Sequence, residues 1–156
     1  MIGMEGEPST GYPVTEHEIV RYCQAIDDLN ALYVDPDYAY KSPYGGVIAP
    51  PLFYFIPFQS VQASLSNLRH DGIPARSGGG VPQPSLPLDR RMAGGVEVEF
   101  LQPVRPGDVL TARRRLADIY QRQGRSGPLI FIVNEATYTN QRGEVVCVER
   151  TSTIAR

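Results

Sequence analysis

The chain has little cysteine and no long apolar segment, and each shortage excludes a class of protein. Two cysteines in 156 residues, Cys23 and Cys147, do not make a disulfide framework, and each lies in an apolar pattern typical of a buried thiol. No segment approaches the roughly 18 apolar residues of a membrane span. The N-terminus lacks the basic and apolar regions of a signal peptide, so we expect a cytoplasmic protein.

The chain also lacks a large excess of either positive or negative charge. The formal net charge is −2, which gives no electrostatic reason to expect binding to nucleic acid or to an anionic membrane. No Cys/His cluster has metal-ligand spacing, and we expect neither a metal nor a bound cofactor.

Lys41 is the single lysine and the other fourteen basic residues are arginines. Arginine suits recognition of phosphate or carboxylate, although the abundance of Gly, Pro and Ala also favours genome composition as the cause.

Two helix starts are marked near the N-terminus. Thr15 and Glu18 form a capping box, and apolar residues follow at helical spacing, which predicts a helix from about 16 to 27. Asp35 and Pro36 are an N-cap and a first-turn proline that open a short helical turn through Tyr40. Residues 1–13 look like a loose arm or an early strand.

The segment from Gly45 to Pro57 is the most apolar of the chain. A helix that begins at Pro51 would be hydrophobic on every side and must therefore be buried. Residues 69–95 follow, rich in Gly, Pro, Ser and Arg and without periodicity. They are predicted to be a functional loop or a disordered one.

The C-terminal half has strand character. Alternation begins at Val96, and turn signals at 105–108, 124–128 and 140–143 separate strands near 96–100, 109–121, 129–139 and 144–154. Since short turns join antiparallel neighbours, we predict a four-stranded antiparallel meander in an α+β fold with a helix against one sheet face. The Arg113–Arg115 triplet is interpreted as a solvated strand stretch or a contact with a partner chain. Residues 1–156 are expected to form a single domain.

Three segments resemble one family. The stretch AIDDLNALYVD at 25–35 resembles the motif A-x-x-G-D-x-N-P-I/L-H-x-D of the MaoC-like (R)-specific enoyl-CoA hydratases. Residues 45–49, GGVIA, are similar to the glycine-rich turn before the family's central helix, and FLQPVRPGDV at 100–109 to its F-x-x-P-V-x-x-G-D element. The nearest subtype is the MaoC N-terminal, or FAS1-like, dehydratase domain. The resemblance implies a single hot-dog fold, an antiparallel sheet wrapped around one long apolar helix.

The resemblance also implies chemistry that this chain matches only in part. Family members use an aspartate and a histidine on a 2-enoyl thioester, and backbone N–H groups polarise the thioester carbonyl. The aspartate matches Asp28 and the asparagine matches Asn30, but Tyr33 stands at the histidine position, and tyrosine titrates near pH 10. Pro50 and Pro51 stand where amide donors are expected, and proline has none. Loss of one such donor typically costs roughly 100- to 1000-fold in rate, and loss of the base roughly 100- to 10,000-fold.

Further residues are implied to meet the substrate, an acyl thioester of coenzyme A or of an acyl carrier. Phe53, Tyr54 and Phe55 would line an acyl tunnel. Arg90 and Arg91 would lie near the tunnel mouth by the phosphates of coenzyme A, or serve only as surface charge. A hot-dog sheet leaves an edge strand that is usually covered, so we expect a second hot-dog chain, either another copy or a different protein.

Several functions remain open at this point. The first hypothesis is one subunit of a hetero-oligomeric enoyl-CoA (or enoyl-ACP) hydratase, which shapes the acyl tunnel while a motif-complete MaoC-like partner supplies Asp and His. The second is a non-catalytic acyl-CoA-binding or assembly protein. The third is a hot-dog thioesterase in which Asp28 activates water, and the last is reuse of the fold without a ligand.

Overall fold

The computed structural model describes residues 1–59, 68, 70, 80–86, 90–125 and 127–156. The chain forms one antiparallel sheet with short helices packed against it. The strands are β1 (Ser9–Thr10), β2 (Arg91–Phe100), β3 (Thr111–Gly124), β4 (Gly127–Thr139) and β5 (Val145–Ala155); the helices are α1 (Glu16–Ile26), α2 (Ala31–Val34), α3 (Pro36–Lys41) and a 3-10 helix (Pro51–Phe58).

The first helices begin where the sequence predicted. The Thr15 hydroxyl accepts from the Glu18 backbone N–H, the Glu18 carboxylate accepts from the Thr15 N–H, and α1 starts at Glu16. Asp35 caps α3 through one bond, in which its Oδ1 accepts from the Tyr38 N–H, and Pro36 lies in the first turn. Early strand structure is also confirmed, because Ser9 and Thr10 pair with β3. Both cysteines are buried, as their apolar surroundings indicated.

The apolar segment differs from the prediction in two respects. Its helix is of the 3-10 type and eight residues long where a long apolar helix was implied, and Leu52 is 52% exposed on a helix expected to be wholly buried. Pro57 accounts for the first difference, since the proline ring clashes with the carbonyl four residues back in an α-helix. The chain uses tighter bonds instead, such as Phe53 N–H to the Pro50 carbonyl, 2.9 Å. Residues 60–67, where the implied helix would continue, lie outside the described residues.

The strand order is β1-β3-β4-β5-β2, so the predicted meander is wrong at one connection. Strands β3, β4 and β5 are successive neighbours, but β2 pairs with β5 and not with β3. The connection 101–110 does not form a hairpin because its backbone bonds to other segments of the chain. The Leu101 N–H donates to the Val146 carbonyl, and the Val104 carbonyl accepts from the Ala49 N–H. This crossing leaves β2 at one edge of the sheet.

Strand β2 also begins five residues earlier than alternation indicated, so the end of the predicted 69–95 loop is strand. The pairing register shifts between Ala93 and Gly95, and such a bulge interrupts the two-residue period. At Gly94 a β-carbon would lie 3.0 Å from the Ile154 side chain, so glycine permits the close approach of β5. Most of the remaining loop lies outside the described residues.

The sheet face that packs on the helices is called the inner face here. Its core includes Ala112, Tyr138 and Cys147, which lie side by side on β3, β4 and β5 and pack with Phe53 of the 3-10 helix and Cys23 of α1. Within the described ranges no helix is long and apolar enough to cross a membrane. The fold thus places the apolar segment 45–58 over the inner face of a twisted antiparallel sheet.

Candidate functional site

A cavity of about 320 Å³ lies where the turn before the 3-10 helix meets α2 and the connection that follows β2. We call it the turn cavity. Its walls are largely apolar, with tyrosine and glutamine at a few points: Leu32, Tyr33, Tyr44, Ile48, Ala49, Pro50, Pro51, Tyr54, Phe100, Leu101, Gln102, Pro103, Val104 and Val146. An apolar cleft with few polar groups is typical of a small-molecule site.

Backbone bonds hold the three segments of the turn cavity together. The Ile48 N–H donates to the Leu32 carbonyl at 3.2 Å, and the Ala49 N–H donates to the Val104 carbonyl at 2.8 Å. Gly45 has a φ of +66°, a left-handed conformation that glycine adopts without strain. The glycine-rich turn therefore brings Ala49, Pro50 and Pro51 against the segment that holds Tyr33.

The motif residues occupy different positions around this cavity. Tyr33 lines it, while Asp28 is half-buried beside Tyr33 and is not among the lining residues. Asn30 is exposed, and its side-chain oxygen caps α2 by accepting from the Leu32 N–H at 3.0 Å. The structure therefore brings Tyr33 and the two prolines to one cavity and gives Asn30 a structural contact.

The state of the Tyr33 phenol follows from its surroundings. Burial raises the Tyr33 pKa above its ordinary value of 10.0, and the negative charge of Asp28 raises it further. The phenol is therefore protonated at neutral pH and can donate a hydrogen bond, but it has no basic form available to accept a proton from water. Tyr33 therefore offers a hydrogen-bond donor at the wall of the turn cavity.

Amide donors are scarce at the start of the 3-10 helix. The Ala49 N–H is bonded to the Val104 carbonyl, the Phe53 N–H is bonded to the Pro50 carbonyl, and Pro50 and Pro51 have no N–H. Four of the five positions from 49 to 53 therefore offer no free amide hydrogen to a ligand. An oxyanion hole of the kind that acyl-transfer chemistry needs is not built from these positions.

A second cavity, of about 290 Å³, lies over the inner face, and we call it the sheet cavity. Phe55 and Phe58 of the 3-10 helix form one wall and polar residues of β3, β4 and β5 form the other. Tyr54 lines the turn cavity, and its hydroxyl donates to the Glu149 carboxylate, which lines the sheet cavity, at 2.5 Å. The Tyr54 side chain thus reaches from one cavity to the wall of the other.

Arg114 corrects the interpretation of the arginine triplet as a solvated stretch. Its guanidinium lies 5.6 Å from the ring centre of Phe58 and 5.7 Å from that of Tyr138, and Nη1 donates to the Ser9 hydroxyl at 2.7 Å. Alternation could have revealed this, because Arg114 stands two residues after Ala112, a core residue of the inner face. Arg115 lies on the opposite face, where it pairs with Glu135.

Only some of the residues expected to bind substrate line one of the two cavities. Tyr54 and Phe55 each line a cavity, whereas Phe53 is fully buried and packs edge-on against the Tyr22 ring. Arg90 and Arg91 are exposed at the start of β2 and line neither cavity. In the part of the chain that the structure describes, no group of three or more His, Cys, Asp or Glu side chains is placed to hold a metal ion.

Comparison with known proteins gives consistent matches along the chain. A family model described as the FAS1-like dehydratase domain region matches residues 1–149. A UPF0336 protein of Saccharopolyspora erythraea is 32% identical over 157 residues, which cover 99% of this chain and 88% of that protein. The mesaconyl-C(4)-CoA hydratase of Chloroflexus aurantiacus is 38% identical over 103 residues, which cover 64% of this chain and 34% of the hydratase.

Among solved structures, the ChsH1-ChsH2 complex of Mycobacterium tuberculosis superposes with a TM-score of 0.73. The match is 20% identical and covers 96% of this chain and 83% of that chain. At this identity the likeness shows the fold alone. The chain has the hot-dog fold in the α+β class, as the sequence resemblance implied.

Proposed function

Because the chain belongs to the MaoC-like dehydratases, in their FAS1-like dehydratase group, we propose that it is one subunit of a two-chain hydratase acting on 2-enoyl thioesters. The partner is a hot-dog chain with an intact motif that supplies the catalytic aspartate and histidine. This chain supplies walls for the acyl group. Hydration adds a proton at the α-carbon and a hydroxyl at the β-carbon, so the reaction needs an acid–base pair.

The turn cavity carries this proposal. It lies where the family's motif segment meets its glycine-rich turn, yet it offers a protonated phenol at the histidine position and prolines at the donor positions. The apolar lining suits an acyl chain, while the chemistry needs groups that these residues do not provide. A site with a binding surface and without its acid–base pair is expected when a second chain completes it.

The comparisons support a division of labour between chains. The hydratase of Chloroflexus aurantiacus extends well beyond the region that this chain matches, since the match covers 34% of it. In the ChsH1-ChsH2 complex, the chain that this protein resembles in fold belongs to an assembly of two differently named proteins. Strand β2, at one edge of the sheet, exposes Met92, Val96 and Phe100 and is the surface for this pairing.

The test is reconstitution with a motif-complete MaoC-like chain from the same organism. Each chain alone and the two together are assayed for loss of the enoyl absorbance of crotonyl-CoA and longer 2-enoyl-CoAs. We expect hydration by the mixture and a stable complex by native mass spectrometry. Hydration by this chain alone at the rate of the mixture would overturn the proposal, and release of free coenzyme A without hydrated product would identify a thioesterase.

A further inference from the structure

Three charged residues line the sheet cavity: Arg114, Glu135 and Glu149. Glu135 is paired with Arg115 and Arg150, while Arg114 and Glu149 stand on either side of a small residue. Arg114 of β3, Ala136 of β4 and Glu149 of β5 lie side by side on the inner face. Neighbouring strands are about 4.8 Å apart, so the backbones at Arg114 and Glu149 are separated by about 10 Å. Among the salt bridges of the described residues, none joins Arg114 to Glu149.

Ala136 is the reason that a cavity exists between these charges. Its methyl group is the smallest side chain of the row, and the aromatic rings of Phe55 and Phe58 line the space above it. A larger residue at this position would fill the space and bring apolar atoms against both charged groups. The cavity is therefore apolar on the helix side and polar on the sheet side.

The polar groups present both donors and an acceptor. The Arg114 guanidinium is a donor only, and the Glu149 carboxylate is an acceptor that already receives the Tyr54 hydroxyl. The Thr151 hydroxyl lines the same cavity. A carboxylate placed here would meet Glu149 as well as Arg114, and an ammonium group would meet Arg114 as well as Glu149. Each ionic group would therefore lose to the like charge part of what it gains from the opposite one. A hydroxyl group can donate to Glu149 and accept from Arg114 at the same time.

We propose that the sheet cavity binds a hydroxyl group on the acyl chain of the substrate, at a position remote from the thioester. The inference rests on the proposed function, in which the thioester end occupies the turn cavity. Tyr54 stands between the two cavities, because it lines the turn cavity and its hydroxyl donates to Glu149 in the sheet cavity. In this proposal the acyl chain passes beside the Tyr54 ring to reach the space between the aromatic rings and the charged row. The chain is thus specific for hydroxylated acyl thioesters.

Calorimetry on the reconstituted two-chain complex tests this specificity. The probes are saturated acyl-CoAs of equal length that end in a methyl, a hydroxyl or a carboxylate group, in an octanoyl and a dodecanoyl series. We expect the hydroxylated probe of one series to bind at least about tenfold more tightly than its methyl counterpart, since two charge-assisted hydrogen bonds are gained. The Arg114→Met and Glu149→Gln variants should each reduce this preference to less than about threefold.

Matched variants separate a specific effect from a loss of folding. Arg113→Met removes the same charge from the opposite face of the same strand and should leave the preference unchanged. Thr151→Val keeps the shape of the cavity and measures the contribution of the Thr151 hydroxyl, one of several further polar groups that line it. Thermal unfolding of each variant identifies any that fail to fold.

The outcomes distinguish this inference from the proposed function. Equal affinity for methyl and hydroxyl probes at both lengths, with binding retained, would overturn the hydroxyl site and leave the proposed function intact. Tighter binding of the carboxylate probe would overturn it in favour of a dicarboxylic acyl group. Failure of every acyl-CoA to bind the complex would overturn both.

Discussion

Tyr33 stands where the family motif has histidine, and its burial beside Asp28 keeps the Tyr33 pKa above 10.0. The residue identity was readable from the sequence, and so was its consequence for acid–base chemistry. Its position on the wall of the turn cavity was not, because it depends on the bond that joins Ile48 to the carbonyl of Leu32. The inward position of Arg114 was also predictable, because it follows from alternation with the core residue Ala112, but three consecutive arginines on their own indicate a solvated stretch.

Removal of the Tyr33 hydroxyl should have a limited effect. In the two-chain complex, Tyr33→Phe should lower kcat/KM by less than about tenfold, since it removes at most a neutral hydrogen bond. Loss of a general base would cost roughly 100- to 10,000-fold. Tyr44→Phe, on the wall of the same cavity, is the matched control. A loss above about 100-fold, together with a changed pH–rate profile, would show that Tyr33 itself transfers protons.

The Tyr54–Glu149 hydrogen bond should contribute measurably to stability. Tyr54→Phe should lower the free energy of unfolding by about 1.5–3 kcal/mol at neutral pH, as expected for a hydrogen bond to a charged acceptor. Burial first, and then the bond to Glu149, raise the Tyr54 pKa above its ordinary value of 10.0. The contribution is therefore complete below pH 10.0 and is lost as the pH rises through the folded-state value. Urea unfolding at several pH values measures it.

Tyr40→Phe is the control for this measurement, because the Tyr40 side chain is 75% exposed. It should leave the free energy of unfolding within about 0.5 kcal/mol of the parent. Equal effects of the two substitutions would contradict a stabilising role for the buried bond.

Helix starts and turns were predictable from neighbouring residues, whereas the order in which the strands pair was only partly predictable. The capping box of α1, the Asp35–Pro36 start of α3 and the three hairpin or turn positions depend on neighbouring residues, and these predictions are confirmed. The pairing of β2 with β5 depends on bonds between distant segments, which periodicity does not contain. The 3-10 helix follows from Pro57, whose ring disfavours an α-helical turn, whereas the apolar run by itself indicates only a buried helix.

Two cross-strand ion pairs that share Glu135 link β3, β4 and β5 on the face opposite the inner face. Glu135, which is 8% exposed, accepts from Arg115 at 2.7 Å and from Arg150 at 2.8 Å. Burial raises the Glu135 pKa, but the hydrogen bonds from the two arginines outweigh it and hold the pKa below 4.5. The network therefore stabilises the ionised carboxylate in the folded chain.

Glu135→Gln should lower the free energy of unfolding by about 1–2 kcal/mol at neutral pH. This is less than expected for a fully buried ion pair, because solvent screens the two half-exposed arginines. For a carboxylate with a lowered pKa, the contribution is present above pH 4.5 and is lost as the pH falls through the folded-state value. The difference between parent and variant should therefore shrink in acid, as measured by denaturant unfolding. Glu7→Gln, at an exposed site, is the control, and a difference independent of pH would contradict the assignment.

For the whole molecule, the hot-dog fold was predictable because three motif segments stand in the family's order along the chain. The family model over residues 1–149 confirms that resemblance. What the sequence could not show is the second cavity, since it arises only when Arg114, Ala136 and Glu149 are aligned by the register of three strands. The edge position of β2 likewise became visible only from the strand order.

The exposed edge strand makes a prediction about assembly. Val96 of β2 is 62% exposed, and the strand lies at the end of the sheet order. Val96→Lys should weaken association with the partner chain by at least about tenfold, because charge on an edge strand opposes pairing. Native mass spectrometry and titration of the partner measure this. Arg122→Ala, near the far end of β3, is the comparison variant, and equal weakening by both would place the interface elsewhere.

The central claim is that the acid–base chemistry belongs to the partner chain. The most direct measurement compares two equivalent substitutions in the reconstituted complex: Asp28→Asn in this chain, and the same change at the motif aspartate of the partner. We predict that Asp28→Asn changes kcat for hydration of a 2-enoyl-CoA by less than about threefold, whereas the partner substitution lowers it by at least roughly 100-fold. The reverse result, with activity lost through Asp28→Asn and retained with the altered partner, would contradict the account.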